Sequence, residues 1–277
     1  MSDSNEQKAG SDEAEYDKES LKNVFLVAIV VCLVCSIVVS TAAVTLKPMR
    51  LLNQELDQKQ NILRAAGLLP EGAKVDDQGR GVDELFAQFE VRAVDLERGE
   101  FVDSVDVAAY DPIKAAKQPD RSSDLSDDED TATIGRREDV SLVYLKRDGD
   151  QIETLVLPVR GYGLWGTLYG YLAIEGDLNT VKGIGFYSHK ETPGLGGEVD
   201  NANWKAQWHD VKLFDENGEP AVSLVKVRAP AGGAAASHEV DALSGATMTS
   251  RGVENLVNFW TSELGFGPFL KNLKSAS

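Results

Sequence analysis

SLVYLKRDGDQIETLVLPVRGYGLWGTLYGYLAIEGDLNTVKGIGFYS, residues 141–188, is the stretch from which the architecture follows. Ser141–Lys146 and Thr154–Val159 are apolar runs on either side of Lys146-Arg147-Asp148-Gly149-Asp150, and an Asp-Gly pair between two such runs is a strong hairpin signal. A second pair follows, because Tyr169–Glu175 and Thr180–Ser188 flank Gly176-Asp177-Leu178-Asn179 and are rich in aromatic and β-branched residues. Further strands are expected between Asp210 and Arg228, broken by Asp215-Glu216-Asn217-Gly218. Ala231-Gly232-Gly233-Ala234 then reads as a flexible link. Val253, Leu256, Val257, Trp260 and Leu264 recur at helical spacing after Ser250, and Gly265 offers a stop. The predicted fold class is α+β, an antiparallel sheet with flanking helices.

Upstream, no residue from Val24 to Leu46 is charged, and a helix of that length spans roughly 34 Å, enough for a bilayer core. The segment predicts a single N-terminal transmembrane helix. A cleaved signal peptide competes through the small residues Ser40-Thr41-Ala42-Ala43, but the apolar run is long and the preceding tail is acidic. Residues 1–23 read as a disordered acidic tail. Residues 47–140 read as a mixed connecting region: an amphipathic helix over Lys47–Ala66 closed by Gly67, short helical and extended signals over 80–110, and a solvated acidic loop insertion over 119–139.

The chain has 277 residues, 42% of them hydrophobic, so a substantial core is available. A formal charge of −17 argues against nucleic acid or anionic lipid headgroups as partners. Lys8, Lys18 and Lys22 on one side of the apolar helix face Lys47, Arg50, Lys59 and Arg64 on the other, so charge does not decide its orientation. Both cysteines, Cys32 and Cys35, lie inside that helix, which leaves the rest of the chain without a disulfide. No further thiol or nearby histidine completes a metal site around them, and His189, His209 and His238 form no ligand cluster, so no metal is expected.

Three segments are too particular for scaffold alone. Gly161-Tyr162-Gly163-Leu164-Trp165-Gly166 brings backbone close to something beside two aromatics. His189-Lys190-Glu191-Thr192-Pro193-Gly194-Leu195-Gly196-Gly197 is a loop with a rigid start and a mobile end. Asp241-Ala242-Leu243-Ser244-Gly245-Ala246-Thr247 presents a hydroxyl just before a helix, whose N-terminus favours an anion. Each has a plainer reading: a hairpin, a Thr-Pro-Gly turn, an ordinary helix cap. Together they supply an apolar wall, close backbone approach and hydrogen-bond donors, which suits a planar ring system. No Walker loop or dinucleotide fingerprint is present, and no residue is assigned a catalytic role.

In this order, the membrane helix, Gln58-Lys59-Gln60-Asn61-Ile62-Leu63-Arg64-Ala65-Ala66-Gly67-Leu68, Gly163-Leu164-Trp165-Gly166, Glu191-Thr192-Pro193-Gly194-Leu195-Gly196-Gly197-Glu198 and Ser244-Gly245-Ala246-Thr247 resemble the C-type subunits of the sodium-translocating NADH:quinone reductases. The resemblance covers nearly the whole chain from residue 20 onward and leaves the acidic insertion unexplained. It implies a covalent FMN joined through a phosphodiester to Thr247, added by a flavin transferase that recognises a pattern matched from Asp241 to Thr247, with Ser244, Gly245 and Ala246 in the attachment turn. It further implies that Leu164, Trp165, Gly166, Glu191, Thr192, Pro193, Gly194 and Leu195 line the isoalloxazine pocket and that Lys226 helps hold the flavin or its phosphate. Residues 141–277 become the FMN-binding domain. The function implied is an electron-carrying flavoprotein component of a translocase that couples NADH oxidation and ubiquinone reduction to sodium export. It is inactive alone, anchored once in the bacterial inner membrane, with a cytoplasmic tail and a periplasmic domain. The G-type component of the related ferredoxin-linked electron transport complex carries the same kind of site, and a non-redox membrane-anchored binding or assembly protein is the alternative of another class.

Overall fold

The structure is a computed structural model that describes residues 13–230 and 233–276. The first twelve residues of the expected tail and Ala231-Gly232 of the expected link lie outside the described residues. Helix α1 runs Glu13–Ala65, so residues 13–23, expected to be disordered, are helical. It contains one stretch long and apolar enough to cross a membrane, with none of that stretch buried. Pro48 lies inside the helix, just beyond the uncharged run. The chain divides into a compact unit to Glu55 and a second from Leu56 to Ser277.

The second unit is built on six strands. They are β1 (Phe89–Asp95), β2 (Glu100–Val102), β5 (Val140–Asp148), β6 (Gln151–Tyr162), β7 (Thr167–Glu175) and β8 (Val181–Ser188), in the order β2-β1-β5-β6-β7-β8 with every pairing antiparallel. Both predicted hairpins are present, and β6 and β7 form a third through the Gly163–Gly166 turn. Because β1 and β2 join this sheet, residues upstream of 140 share a fold with those after it rather than connecting to them. Alternation sorts the sheet's side chains onto two cores. Val143, Leu145, Leu155, Leu157, Leu172 and Ile174 face one cluster, whereas Tyr144, Val156, Tyr171 and Ala173 face the other.

On the second face lie Ile62, Leu63, Ala65 and Ala66 at the end of α1, with helix α2 (Val82–Phe86). A Cβ at Gly183 of β8 would sit 2.5 Å from the Ala65 carbonyl oxygen, so only glycine admits this approach. Gly67, at φ +70°, ends the turn beyond α1 as expected. On the first face lie helices α5 (Thr247–Thr261) and α6 (Gly267–Ala276). The predicted helix thus begins three residues before Ser250 and stops before Leu264. At Gly265 a Cβ would meet the Trp260 carbonyl oxygen at 2.4 Å, and the Phe266 N–H donates back to that oxygen at 2.7 Å. Helix α6 has no counterpart in the sequence reading; it docks Phe269 edge-to-face on Phe101 of β2 at 5.1 Å between centroids.

Residues 119–139 are not a solvated loop. Following the short helix α3 (Pro112–Ala115), they form a hairpin of β3 (Ser122–Asp124) and β4 (Arg136–Glu138). Two of its acidic residues act inside the turn, while Asp120, Asp127 and Asp128 stay exposed. Asp130 accepts from the Ile134 and Gly135 N–H groups at 2.8 and 2.6 Å, and Glu129 accepts from Ser126 N–H and hydroxyl. Leu125 and Ile134 pack against the main core, Ala132 lies in it, and the Ala132 carbonyl accepts from Tyr162 N–H at 2.8 Å. Between Asp210 and Arg228 one strand forms, β9 (Ser223–Val225). It pairs in parallel with β10 (Glu239–Asp241) and so delivers the chain to the Thr247 turn. Helix α4 (Ala202–Ala206) lies beside that entry, where Trp204 Nε1 donates to the Asp241 carbonyl at 2.8 Å.

Candidate functional site

The three singled-out segments converge. Glu191, 5% exposed, accepts the Leu164 and Trp165 backbone N–H groups on Oε1, each at 3.0 Å, and the Thr249 hydroxyl on Oε2 at 2.6 Å. One carboxylate therefore joins the first loop to α5 from its seat on the second. Leu195 closes the remaining side, because a Cβ on Gly245 would lie 3.1 Å from Leu195 Cδ2. Gly245 takes φ +72°, a left-handed conformation that glycine adopts without the Cβ penalty. Helix α5 presses on the Leu-Trp turn, since a Cβ at Gly252 would stand 2.4 Å from the Tyr162 carbonyl oxygen and 3.0 Å from Gly163 Cα.

The turn before α5 is shaped by backbone and by Ser250. Ala246 takes the cap position of the helix without a side-chain cap bond, so the ordinary reading of Ser244 or Thr247 as a helix cap is not what the residues do. Among the described residues, neither Ser244 nor Thr247 makes a side-chain hydrogen bond, and both are exposed. Thr247 is the first residue of α5, where backbone N–H groups lack intrahelical acceptors. The buried Ser250 hydroxyl receives Leu243 N–H and gives to the Ala246 carbonyl.

The loops that converge on this turn expose large apolar side chains. Leu164 is 42% exposed, Trp165 62%, Leu195 45% and Met248 51%. Large apolar side chains held this far out by a rigid framework mark a surface made to be covered. Thr192, Pro193 and Gly194 lie exposed on the same loop, with the Thr192 carbonyl accepting from Leu195 and Gly197 N–H. Gly166 is buried, and a Cβ there would touch the Lys190 stem at 3.3 Å. Asp241 pairs with Arg228 at 3.2 Å, and Gln207 braces both. Lys226 stands one residue beyond β9, exposed; Val225 before it accepts from Ala242 N–H at 2.8 Å. Among the described residues, no hydrogen bond or ion pair brings Lys226 to the Leu-Trp or Thr-Pro-Gly loops.

Sequence reasoning missed Thr249, Ser250 and Gly252, and gave Gly196, inside a segment it singled out, no role of its own. Met248-Thr249-Ser250 stands beside the motif, but nothing local says that one hydroxyl will meet a carboxylate on another loop. The apolar, donor-rich surface fits a flavin: an aromatic and leucine wall for a ring, and N–H and hydroxyl groups for a phosphate. Matching by family agrees, because residues 163–262, from the Leu-Trp turn through α5, match the FMN-binding domain.

The chain is thus a protein of the FMN-binding-domain class carried on an apolar N-terminal helix. It is 50% identical to the NqrC protein of Pseudomonas aeruginosa, a component of its Na(+)-translocating NADH-quinone reductase, over 93% of this chain and 98% of that one. To the corresponding protein of Vibrio vulnificus it is 47% identical over 92% and 96%. The crystal structure of Shewanella oneidensis NqrC superposes with a TM-score of 0.71 at 35% identity, covering 80% of this chain and 99% of that one. The chain belongs to the NqrC family of Na(+)-translocating NADH-quinone reductase subunits.

Proposed function

We propose that the chain holds one FMN through a phosphodiester to Thr247 Oγ1 and serves as an electron carrier in a membrane complex that couples NADH oxidation and ubiquinone reduction to sodium export. The observation that carries this reading is the exposed, unengaged Thr247 hydroxyl at an uncapped helix start, on the turn where loops exposing Leu164, Trp165 and Leu195 are tied to α5 through Glu191 and Gly245. Bound FMN supplies reversible one- and two-electron chemistry. The chain's own residues hold and shield it. The backbone N–H groups of the first turn of α5, from Thr247 on, favour the phosphate, whereas Ala246 N–H is given to the Leu243 carbonyl; Leu164, Trp165 and Leu195 limit water at the ring, and Lys226 adds positive charge.

Attachment balances if the donor is a flavin dinucleotide. Thr247 Oγ1 bonds the flavin-side phosphorus, the phosphoanhydride P–O bond breaks, a nucleoside monophosphate leaves, and the hydroxyl proton passes to solvent. A flavin transferase would supply that activation and read Asp241, whose carboxylate is about half exposed beside Arg228. The apolar helix would anchor the domain at the bacterial inner membrane, and the family resemblance supports the periplasmic side. A fusion reporter at residue 277 active only in the cytoplasm would reverse that orientation.

Mass spectrometry of the protein co-produced with its flavin transferase tests the assignment. The expected result is an FMN-sized adduct that disappears in Thr247→Ala and persists in Thr247→Ser. No adduct, or one that survives Thr247→Ala, rejects it.

A further inference from the structure

We propose that Thr249 and Glu191 form a positioning pair that fixes the Leu164-Trp165 strap against the first turn of α5, so that the ring subsite keeps its shape. The pair's role rests on the flavin reading of the site and gives Glu191 a different task from lining the ring.

The carboxylate has no free face. Its Oε1 receives two backbone N–H groups of the strap at 3.0 Å and its Oε2 the Thr249 hydroxyl at 2.6 Å, while Glu191 is 5% and Thr249 0% exposed. Glycines crowd it from two directions. A Cβ at Gly163 would lie 2.6 Å from Oε1, and one at Gly196 would lie 2.5 Å from Thr249 Oγ1 and 2.6 Å from Oε2. A carboxylate so enclosed reaches neither solvent nor an exposed ring. It accepts three hydrogen bonds and gives none, so its work is to hold.

The pair is itself held from behind. Glu191 N–H donates to His189 Nδ1 at 3.2 Å, and His189 Nε2 meets Asp200 Oδ2 at 2.9 Å. Since Nδ1 accepts, Nε2 carries the proton and donates to Asp200. A continuous run of hydrogen bonds thus links Asp200, at the end of the short 3-10 helix Gly196–Asp200, to Trp165 and to α5. Burying a carboxylate is unfavourable unless it is fully hydrogen-bonded, so this loop geometry persists only while all three donors stay in place.

The chemistry separates clamp from charge. Glutamine at 191 keeps one carbonyl oxygen for the two strap N–H groups and turns its NH2 toward Thr249 Oγ1, which accepts by rotating its hydroxyl. Glu191→Gln therefore preserves the clamp, whereas Glu191→Ala and Thr249→Val break it from opposite ends.

The test uses the full chain in detergent, co-produced with its flavin transferase, with two readouts: amide hydrogen exchange at Leu164 and Trp165, and fluorescence anisotropy of the attached flavin. In Glu191→Ala and Thr249→Val, exchange at both amides should quicken about ten-fold or more, as expected when a local restraint is lost, and anisotropy should fall while the adduct mass remains. Glu191→Gln should match the parent in both. If Glu191→Ala fails to fold, Thr249→Val, which removes only one hydroxyl's bond, still decides. Protection at Leu164 and Trp165 unchanged in Thr249→Val, or lost in Glu191→Gln as fully as in Glu191→Ala, overturns the proposal. The exchange measurement is repeated in a Thr247→Ala background. There it reports on the clamp whether or not flavin ever attaches, so failure of the clamp and failure of the flavin assignment give different results.

Discussion

The Ser250 hydroxyl accepts Leu243 N–H at 2.9 Å and donates to the Ala246 carbonyl at 3.0 Å, so one side chain in α5 closes the turn that precedes the helix. Ser250 is 3% exposed, which leaves solvent little access to either bond. Ser250→Ala deprives the Leu243 N–H of its partner, which costs about 1–3 kcal/mol for a buried donor. Denaturant unfolding should show that loss. The FMN adduct proposed at Thr247 should also form in lower yield, because the turn that presents the hydroxyl loosens.

Gly245 and Gly194 offer a controlled comparison. Both adopt positive φ, +72° and +76°, but a Cβ on Gly194 meets nothing within 4 Å, whereas on Gly245 it presses on Leu195 Cδ2. Gly194→Ala should therefore cost only the conformational penalty, about 1–2 kcal/mol. Gly245→Ala should carry the same penalty and displace Leu195 as well. Flavin fluorescence anisotropy distinguishes them: a marked fall is expected for Gly245→Ala, with little change for Gly194→Ala at equal loading.

The sheet was legible because its chemistry is periodic. Val143 and Leu145 alternate with Tyr144, and Asp148-Gly149 punctuates the run, so period and turn agree. The three site loops were legible because glycine beside tryptophan, or Thr-Pro-Gly followed by more glycine, is costly to keep in plain scaffold. What escaped depends on distant partners. The Glu191–Thr249 bond joins residues 58 apart, and neither residue carries a local mark of it. The β3–β4 hairpin escaped for another reason. Two of its acidic side chains, Glu129 and Asp130, satisfy backbone N–H groups, and buried Ala132 with the partly buried Leu125 and Ile134 are too sparse to show a period. Helix α6 is short, and its anchors Phe269 and Leu270 repeat only once.

Tyr110 ties the approach to that hairpin onto the sheet, its hydroxyl donating to the Val140 carbonyl at 2.7 Å. Burial, with the Glu138 charge adding to it, pushes the phenol up to about 12. The folded value exceeds the unfolded one of about 10, so the stabilisation is complete below about pH 10 and drains away as pH rises toward about 12. Tyr110→Phe should lower stability by about 0.5–1.5 kcal/mol at neutral pH, for the lost hydrogen bond. Across that alkaline window its stability should decline less steeply than the parent's, so the two curves converge. Tyr144 and Tyr171 are also raised, chiefly by burial, so the variant keeps a residual slope. Parallel curves across the window would show that Tyr110 is not the titrating group.

Glu138 and Arg160 make the attachment of the hairpin to β6 a matter of charge. Their side chains are 1% and 10% exposed and meet at 2.6 Å. Ser141 donates to Glu138 Oε1, Arg160 also donates to the Arg136 carbonyl, and its guanidinium lies 5.0 Å from the Trp260 ring centroid. Removing one partner strands the other in a poorly solvated site, and the expected loss for Glu138→Ala is about 3–5 kcal/mol. Glu138→Gln keeps the Ser141 bond and an acceptor for Arg160, and should cost less. Replacing both with apolar residues of similar volume should recover much of the loss, because the unpaired charge rather than the missing attraction dominates it. A double-mutant cycle by denaturant unfolding measures the coupling. Because Trp260 Nε1 donates to the Arg160 carbonyl at 2.7 Å, the same strand position also fixes the far end of α5. Glu138→Ala should therefore raise hydrogen exchange in the last turns of α5 while leaving Leu164 and Trp165 protected. Loosening of those two amides to the same degree would mean that the hairpin supports the flavin site directly.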